Sequence, residues 1–193
     1  MVKKFFIAIV VMLMITAVPS FAAKKKAKPP MPQEEFLVYC ATGKLSQVAS
    51  GVKRNAKLDL ISLDGITPLI AAAREQDSSK VISYLISKGA DPNRANHQGL
   101  TPLMACAMHN PRSRIVKALL SGGADPYAID MTGSTATFYA AQSNNVAVLT
   151  VLLAEAPETS DHPNAGGTTP LSAAMRANAK DAQDMLLKFG VKN

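Results

Sequence analysis

Three histidines and two cysteines are all that the 193 residues hold of the commonest soft metal ligands. His97, His109 and His162 lie far apart in the chain, none at i, i+4 from another and none flanking a glutamate. That spacing excludes the usual zinc arrangements, and the three read as surface histidines. No Gly-x-Ser-x-Gly elbow is present, so a serine nucleophile has no strained turn to stand on. No Gly-x-x-x-x-Gly-Lys-Ser/Thr run is present either; Ser121-Gly122-Gly123 and Ala165-Gly166-Gly167 read as turn glycines. The acidic pairs Glu34/Glu35 and Asp181/Asp184 read as a helix start and a solvated face. No catalytic residue, metal or cofactor is expected, and the chain does not read as an enzyme. Net positive charge is small outside the N-terminus. The formal net charge is +7, but Lys3, Lys4, Lys24, Lys25, Lys26 and Lys28 supply six of it, leaving +1 for residues 29–193. A nucleic-acid partner is therefore not expected.

What the chain has in abundance is repetition. Gly65, Gly99, Gly133 and Gly167 are spaced by 34 residues, and Thr67, Thr101, Thr135 and Thr169 keep the same step. Each copy reads as turn, helix, turn, helix. Thr67, Thr101 and Thr169 offer a side-chain oxygen for an N-cap, and the proline after each fits the first helical position, where its missing N–H costs nothing. Alanine-rich runs follow, making slim helices. A second helix is predicted where Val81, Ile82, Leu85 and Ile86, or Ile115, Val116, Leu119 and Leu120, form one apolar stripe. Gly89 and Gly123 stand where a left-handed helix stop is wanted.

Thr67-Pro68-Leu69, Thr101-Pro102-Leu103 and Thr169-Pro170-Leu171, with Gly89-Ala90-Asp91-Pro92-Asn93, resemble the ankyrin repeat. The resemblance implies an all-α solenoid of about five helix-turn-helix units with β-hairpin fingers, partner binding and no chemistry. There are departures. The signature histidine is replaced by Ile70, Met104, Phe138 and Ser172, and the third copy has Ala136 and Thr137 in place of Pro-Leu. The step exceeds the family's usual period by one, which places an extra residue in the inter-helix turns at Gln76–Ser79 and Asn110–Ser113.

Domain boundaries follow from composition. Residues 1–22 read as a signal peptide: a Lys3-Lys4 start, an apolar run from Phe5 to Val18, and a small-x-small site at Ser20-Phe21-Ala22. No cysteine follows the run, so no lipid anchor is expected there. A periplasmic or secreted location follows, in a bacterial host; no Asn-x-Ser/Thr site is present. The alternative is an uncleaved inner-membrane anchor, favoured by the lysines beyond the run. Residues 23–33 read as a basic, proline-rich tether, extended and solvated, with Lys24, Lys25, Lys26 and Lys28 available for weak contact with an anionic surface. Residues 34–193 hold the repeats as 34–64, 65–98, 99–132, 133–166 and 167–193, the first and last acting as caps. A monomer is expected.

Cys40 and Cys106 fall two units apart on first helices. With packed helices about 10 Å apart they are separated by roughly 20 Å, whereas a disulfide needs Cα atoms within about 7 Å. They are not expected to pair. Cys106 reads as core filler, and Cys40, in an end unit, as partly reachable and so open to a redox role.

The concave face, made of fingers and the exposed edge of the first helices, is where a protein partner is expected. By register it carries Leu63, Asp64, Ile66 and Arg74; His97, Gln98, Leu100 and Met108; and Met131, Thr132, Ser134 and Gln142. Leu63, Ile66, Leu100 and Met131 are either apolar groups displayed to a partner or packing between fingers; both readings stand on sequence alone. The resemblance implies an adaptor, a helper or inhibitor of another protein, or an immunity-type antidote to a toxin. A membrane-tethered scaffold is the alternative of a different class.

Overall fold

The computed structural model describes residues 28–191, so the signal segment and residues 23–27 of the tether lie outside the described residues. Among the described residues ten α-helices follow in pairs: α1 (Gln33–Thr42) with α2 (Leu45–Lys53), α3 (Pro68–Glu75) with α4 (Ser79–Ser87), and α5 (Pro102–His109) with α6 (Ser113–Ser121). They continue with α7 (Ala136–Gln142) and α8 (Val146–Glu155), then α9 (Pro170–Arg176) and α10 (Lys180–Phe189). First helices pack on first helices in an inner row, and second helices on second helices in an outer row. The core lies between the rows, from Phe36 and Cys40 through Leu69, Leu103 and Leu149 to Leu171 and Leu186.

The inner helices begin as their sequence dictates. Thr67, Thr101, Thr135 and Thr169 each accept a hydrogen bond on the side-chain oxygen from the backbone N–H three residues on, at 3.1–3.3 Å. Thr135 does so without a following proline. Where the other units bury leucine, α7 buries Thr137, whose hydroxyl meets that of Thr159 at 2.6 Å. Thr159 gives its own hydrogen to the Ala156 carbonyl at 2.7 Å, so Thr137 must be the donor between them. The short 3-10 helix Pro157–Ser160, peculiar to this unit, thus supplies the partner that a polar core residue requires.

The extra residue in units two and three lies in the inter-helix turn, as the sequence predicts. Val81 and Ile115 stand one residue farther from their capping threonines than Val148 does from Thr135. In units four and five the turn closes instead on Asn144 and Asn178 in the left-handed region, with φ of 55° and 53°. The longer turns hold a buried amide. Gln76 donates to the Gly43 carbonyl at 2.9 Å, and Asn110 donates to both Ala73 and Gln76 carbonyls at 3.0 Å. Asn145 continues the ladder to Ala107 at 3.2 Å and Asn110 at 3.0 Å. Each amide satisfies carbonyls left over at the end of the preceding inner helix, and so fixes the offset between neighbouring units.

Four expectations change. The fingers, predicted as β-hairpins, carry no strand among the described residues; each closes on two backbone bonds, such as Asn96 N–H to Leu100 O at 3.1 Å and Gly99 N–H to Asn96 O at 3.0 Å. The end of the tether is not free chain: Met31 is buried, Arg54 Nε donates to the Pro29 carbonyl at 2.8 Å, and helix α1 starts at Gln33. Gly51 leaves the space that Phe36 and Met31 fill, since a Cβ there would meet the Phe36 ring at 2.4 Å. Cys40 is fully buried, not partly reachable. Finally, the last unit is only half a cap. Lys180, Asp181, Asp184 and Lys188 are exposed as expected, but so are Met175, Leu187 and Phe189.

Candidate binding face

A side-chain acceptor at one register position shapes every finger. Ser62 Oγ accepts from Ile66 N–H at 3.1 Å. Asn96 Oδ1 accepts from Gln98 and Leu100, both at 2.9 Å; Asp130 Oδ1 from Thr132 at 2.8 Å and Ser134 at 3.0 Å; Asn164 Oδ1 from Gly166 and Thr168, both at 3.0 Å. Short polar side chains stabilise tight loops in this way. The fingers are then tied to one another: Met131 N–H donates to Gln98 O at 3.1 Å, and Ala165 N–H to Thr132 O at 2.8 Å. This close approach requires glycine twice over at Gly133, where φ is +74° and a Cβ would meet Ala165 N at 2.8 Å. Fingers two to four therefore form a continuous rail. No such backbone bond joins the first finger to the second among the described residues.

Asp130 is the only one of the four acceptors that ionises. Its second oxygen accepts from Tyr139 Oη, and Thr132 Oγ1 donates to the first at 2.7 Å. Burial works against the carboxylate's charge, but the bonds from Tyr139, Thr132 and Ser134 outweigh it and hold the pKa below the ordinary 3.8. Burial, and next the bond to Asp130, push Tyr139 up to about 12. The pair anchors the third finger to α7.

The residues predicted for the face separate into three groups. Leu63 and Met131 stand bare at their fingertips, with 104% and 78% of their surface exposed. Asp64, His97, Gln98, Thr132 and Gln142 are exposed beside them, and Arg74 and Met108 are half-buried along the inner helices. Ile66 and Leu100 are half-buried and pack against the core, so for these two the packing reading holds and display does not. Ser134 is buried, its N–H given to Asp130 and its hydroxyl 2.9 Å from Thr132 Oγ1, and it leaves the set.

Two open grooves lie between units, one reaching the fingers and one at the inter-helix turns. One, of about 440 Å³, lies between units four and five and is lined by Thr132, Tyr139, Gln142, Thr168 and Arg176. Arg176 Nη1 donates to Thr168 Oγ1 at 3.0 Å across its floor. The other, of about 350 Å³, lies between units three and four against Met108, His109, Ser143 and Asn144. Burial, and after it the charge of Arg74, lower the pKa of His109.

Among the described residues no group of three His, Cys, Asp or Glu side chains is placed to hold a metal ion. Burial pushes both thiols up to about 12, so neither Cys40 nor Cys106 presents a thiolate near neutral pH. That removes the redox role considered for Cys40. No helix among the described residues is long and apolar enough to cross a membrane.

A family model described as Ankyrin repeats (3 copies) matches residues 37–130 and again 110–193, together spanning the helical body. No curated protein matches the chain. Repeats of this kind are general protein–protein interaction modules, typically scaffolds without enzymatic activity. The 34-residue step, the capped inner helices and the family match agree: this chain belongs to the ankyrin-repeat family.

Proposed function

We propose that this is an exported protein that binds another protein through its concave face, acting as an adaptor, helper or inhibitor in the periplasm. The observation that carries the binding reading is the bare Leu63 and Met131 at the tips of the first and third fingers, with an open groove lined by Thr132 and Gln142 beside the third. Exposed large apolar groups on an otherwise polar surface suit partner contact. Export rests on the anatomy of residues 1–22. An immunity-type antidote is the special case in which the partner is a toxin made in the same compartment.

A photo-crosslinking side chain placed at Leu63 or Met131, and for comparison at Lys117 on the outer helix α6, tests the reading in living cells. A crosslinked partner from positions 63 and 131 but not 117 is the expected result. Crosslinks from 117 alone, or equally from all three, would contradict the concave-face assignment. The mass of the mature chain tests export, since cleavage removes about 22 residues; a full-length mass in the membrane fraction would point to the tethered scaffold.

A further inference from the structure

The fingers carry large apolar side chains that the concave face does not use. Ile61, Ala95, Ile129 and Pro163 share one register position, and Leu63, His97, Met131 and Ala165 share the position two residues on. Between these two rows run the acceptors Ser62, Asn96, Asp130 and Asn164, each turned into its own finger. In extended chain the residues on either side of such a position point the other way. The third finger shows this most fully. Ala128 packs against the core and Asp130 reaches Tyr139 of α7, whereas Tyr127, Ile129 and Met131 are exposed at 51%, 55% and 78%.

The two rows give the finger rail an apolar back. Their single ionisable side chain is His97. The concave side is polar by contrast, with Thr132, Gln142, Thr168 and Arg176 around its groove. Charge gathers at the base of the fingers, where Asp125, Glu158 and Asp161 are exposed and Tyr127 Oη donates to Glu158 Oε2 at 3.1 Å. A contiguous apolar surface of this kind marks an interaction site. The strip from Tyr127 to Met131 is about 15 Å long, and four fingers at the helix spacing of about 10 Å extend over roughly 35 Å. The back therefore offers about 500 Å², below the roughly 800 Å² per side of a standard specific interface.

We infer that this back is a self-association face, on which a second copy of the chain docks with its fingers antiparallel about a two-fold axis running across them. A patch that meets itself must tolerate its own charges. The two rows hold no carboxylate, lysine or arginine, so no like charges oppose one another there. Antiparallel fingers set the acidic base of each copy opposite the fingertips of the other, on the side of His97. Parallel fingers would stack acid on acid, which is unfavourable. Ile129 then meets Ile129, and Tyr127 meets Met131. The small area makes the association weak, in the micromolar range, so the monomer expected from sequence prevails in dilute solution. Both concave grooves stay open. The inference goes beyond the concave-face reading and does not rest on it; Leu63 and Met131, at the tips, border both faces.

Sedimentation equilibrium of the mature protein, from about 1 to about 200 µM, reads the association directly. The expected result is a weight-average mass that rises toward twice that of one chain, with a dissociation constant about tenfold larger or more in Ile129→Asp. A single-chain mass over the whole range, or unchanged association in Ile129→Asp, would overturn the inference. Position 129 is exposed, and an unchanged urea midpoint shows that the variant is folded. The geometry is read with Ile129→Cys and, on the outer helix α6, Lys117→Cys, each treated with a short bismaleimide. Cys40 and Cys106 are buried, so the native chain gives no link of its own. A covalent dimer through position 129 and not through 117 is expected; equal yields from both, or none from 129, would refute the docking. A photo-crosslinking side chain at 129 that captures a foreign protein and never a second copy would refute it too, and would assign the face to another partner. Ile129 lies outside the concave groove, so loss of the dimer in Ile129→Asp with capture at that groove intact separates the two faces.

Discussion

Replacing Asn110 with alanine tests what holds one unit against the next. The side chain is 1% exposed; it donates to two carbonyls at 3.0 Å and accepts from Arg112 N–H at 3.1 Å. Truncation leaves these groups short of a partner in a space that opens only slightly to water. Each buried group so abandoned costs about 1–3 kcal/mol, and partial hydration of the gap brings the expected total to about 2–4 kcal/mol. Asn93→Ala is the matched control. Asn93 also bridges two units, donating to Gly123 O at 2.9 Å and accepting from Asp125 N–H at 2.8 Å, but it is exposed. Water replaces those bonds, and the cost should be about 0.5–1 kcal/mol. Urea unfolding followed by far-ultraviolet circular dichroism measures both, provided the slope with denaturant is unchanged. If Asn110→Ala costs no more than Asn93→Ala, the buried amide ladder does not fix the stacking.

Three further outcomes are expected. Thr137→Val removes the donor to Thr159 and should cost about 1–2 kcal/mol, while adding Thr159→Val should cost less than the two singles together in a double-mutant cycle. Asp130 has its folded-state pKa below the ordinary 3.8, so its stabilising contribution is fully present above that value and is lost as pH falls through the folded pKa. Urea midpoints compared at about pH 5 and about pH 3 should therefore fall less in Asp130→Asn than in the native protein, and an equal fall would refute the role assigned to the Tyr139 bond. Both cysteines, buried with pKa values near 12, should resist a thiol reagent in the native state and react once urea unfolds the chain. Rapid labelling of Cys40 without denaturant would show that the first unit opens.

The inner row was legible in the sequence because its determinants recur in strict register. A capping threonine and a left-handed glycine every 34 residues leave little freedom. The finger acceptors at Ser62, Asn96, Asp130 and Asn164 keep the same step and were open to the same reasoning, though only their residue types, not their bonds, show in sequence. The amide ladder is harder to see. Gln76 and Asn110 keep the step, but the next rung is Asn145, one residue late, because unit four closes its turn on Asn144 instead. Display against packing was not decidable for the finger residues. Leu63 and Ile66 are equally apolar and three residues apart, yet one points away from the body and the other into it. Burial of Met31 was hidden for a different reason: a lysine- and proline-rich stretch gives no periodicity, and only the pocket left by Gly51 against Phe36 accounts for it.

Capture of the partner tests the central claim most directly. Mature protein tagged at its C-terminus would be crosslinked in native envelope extract beside two variants, Leu63→Ser with Met131→Ser on the concave face and Leu187→Ser at the far end of the stack. The account predicts a partner held by the native protein and by the Leu187 variant and lost from the doubly substituted but folded concave-face variant. Equal capture by all three would contradict it and move the binding site off the fingers.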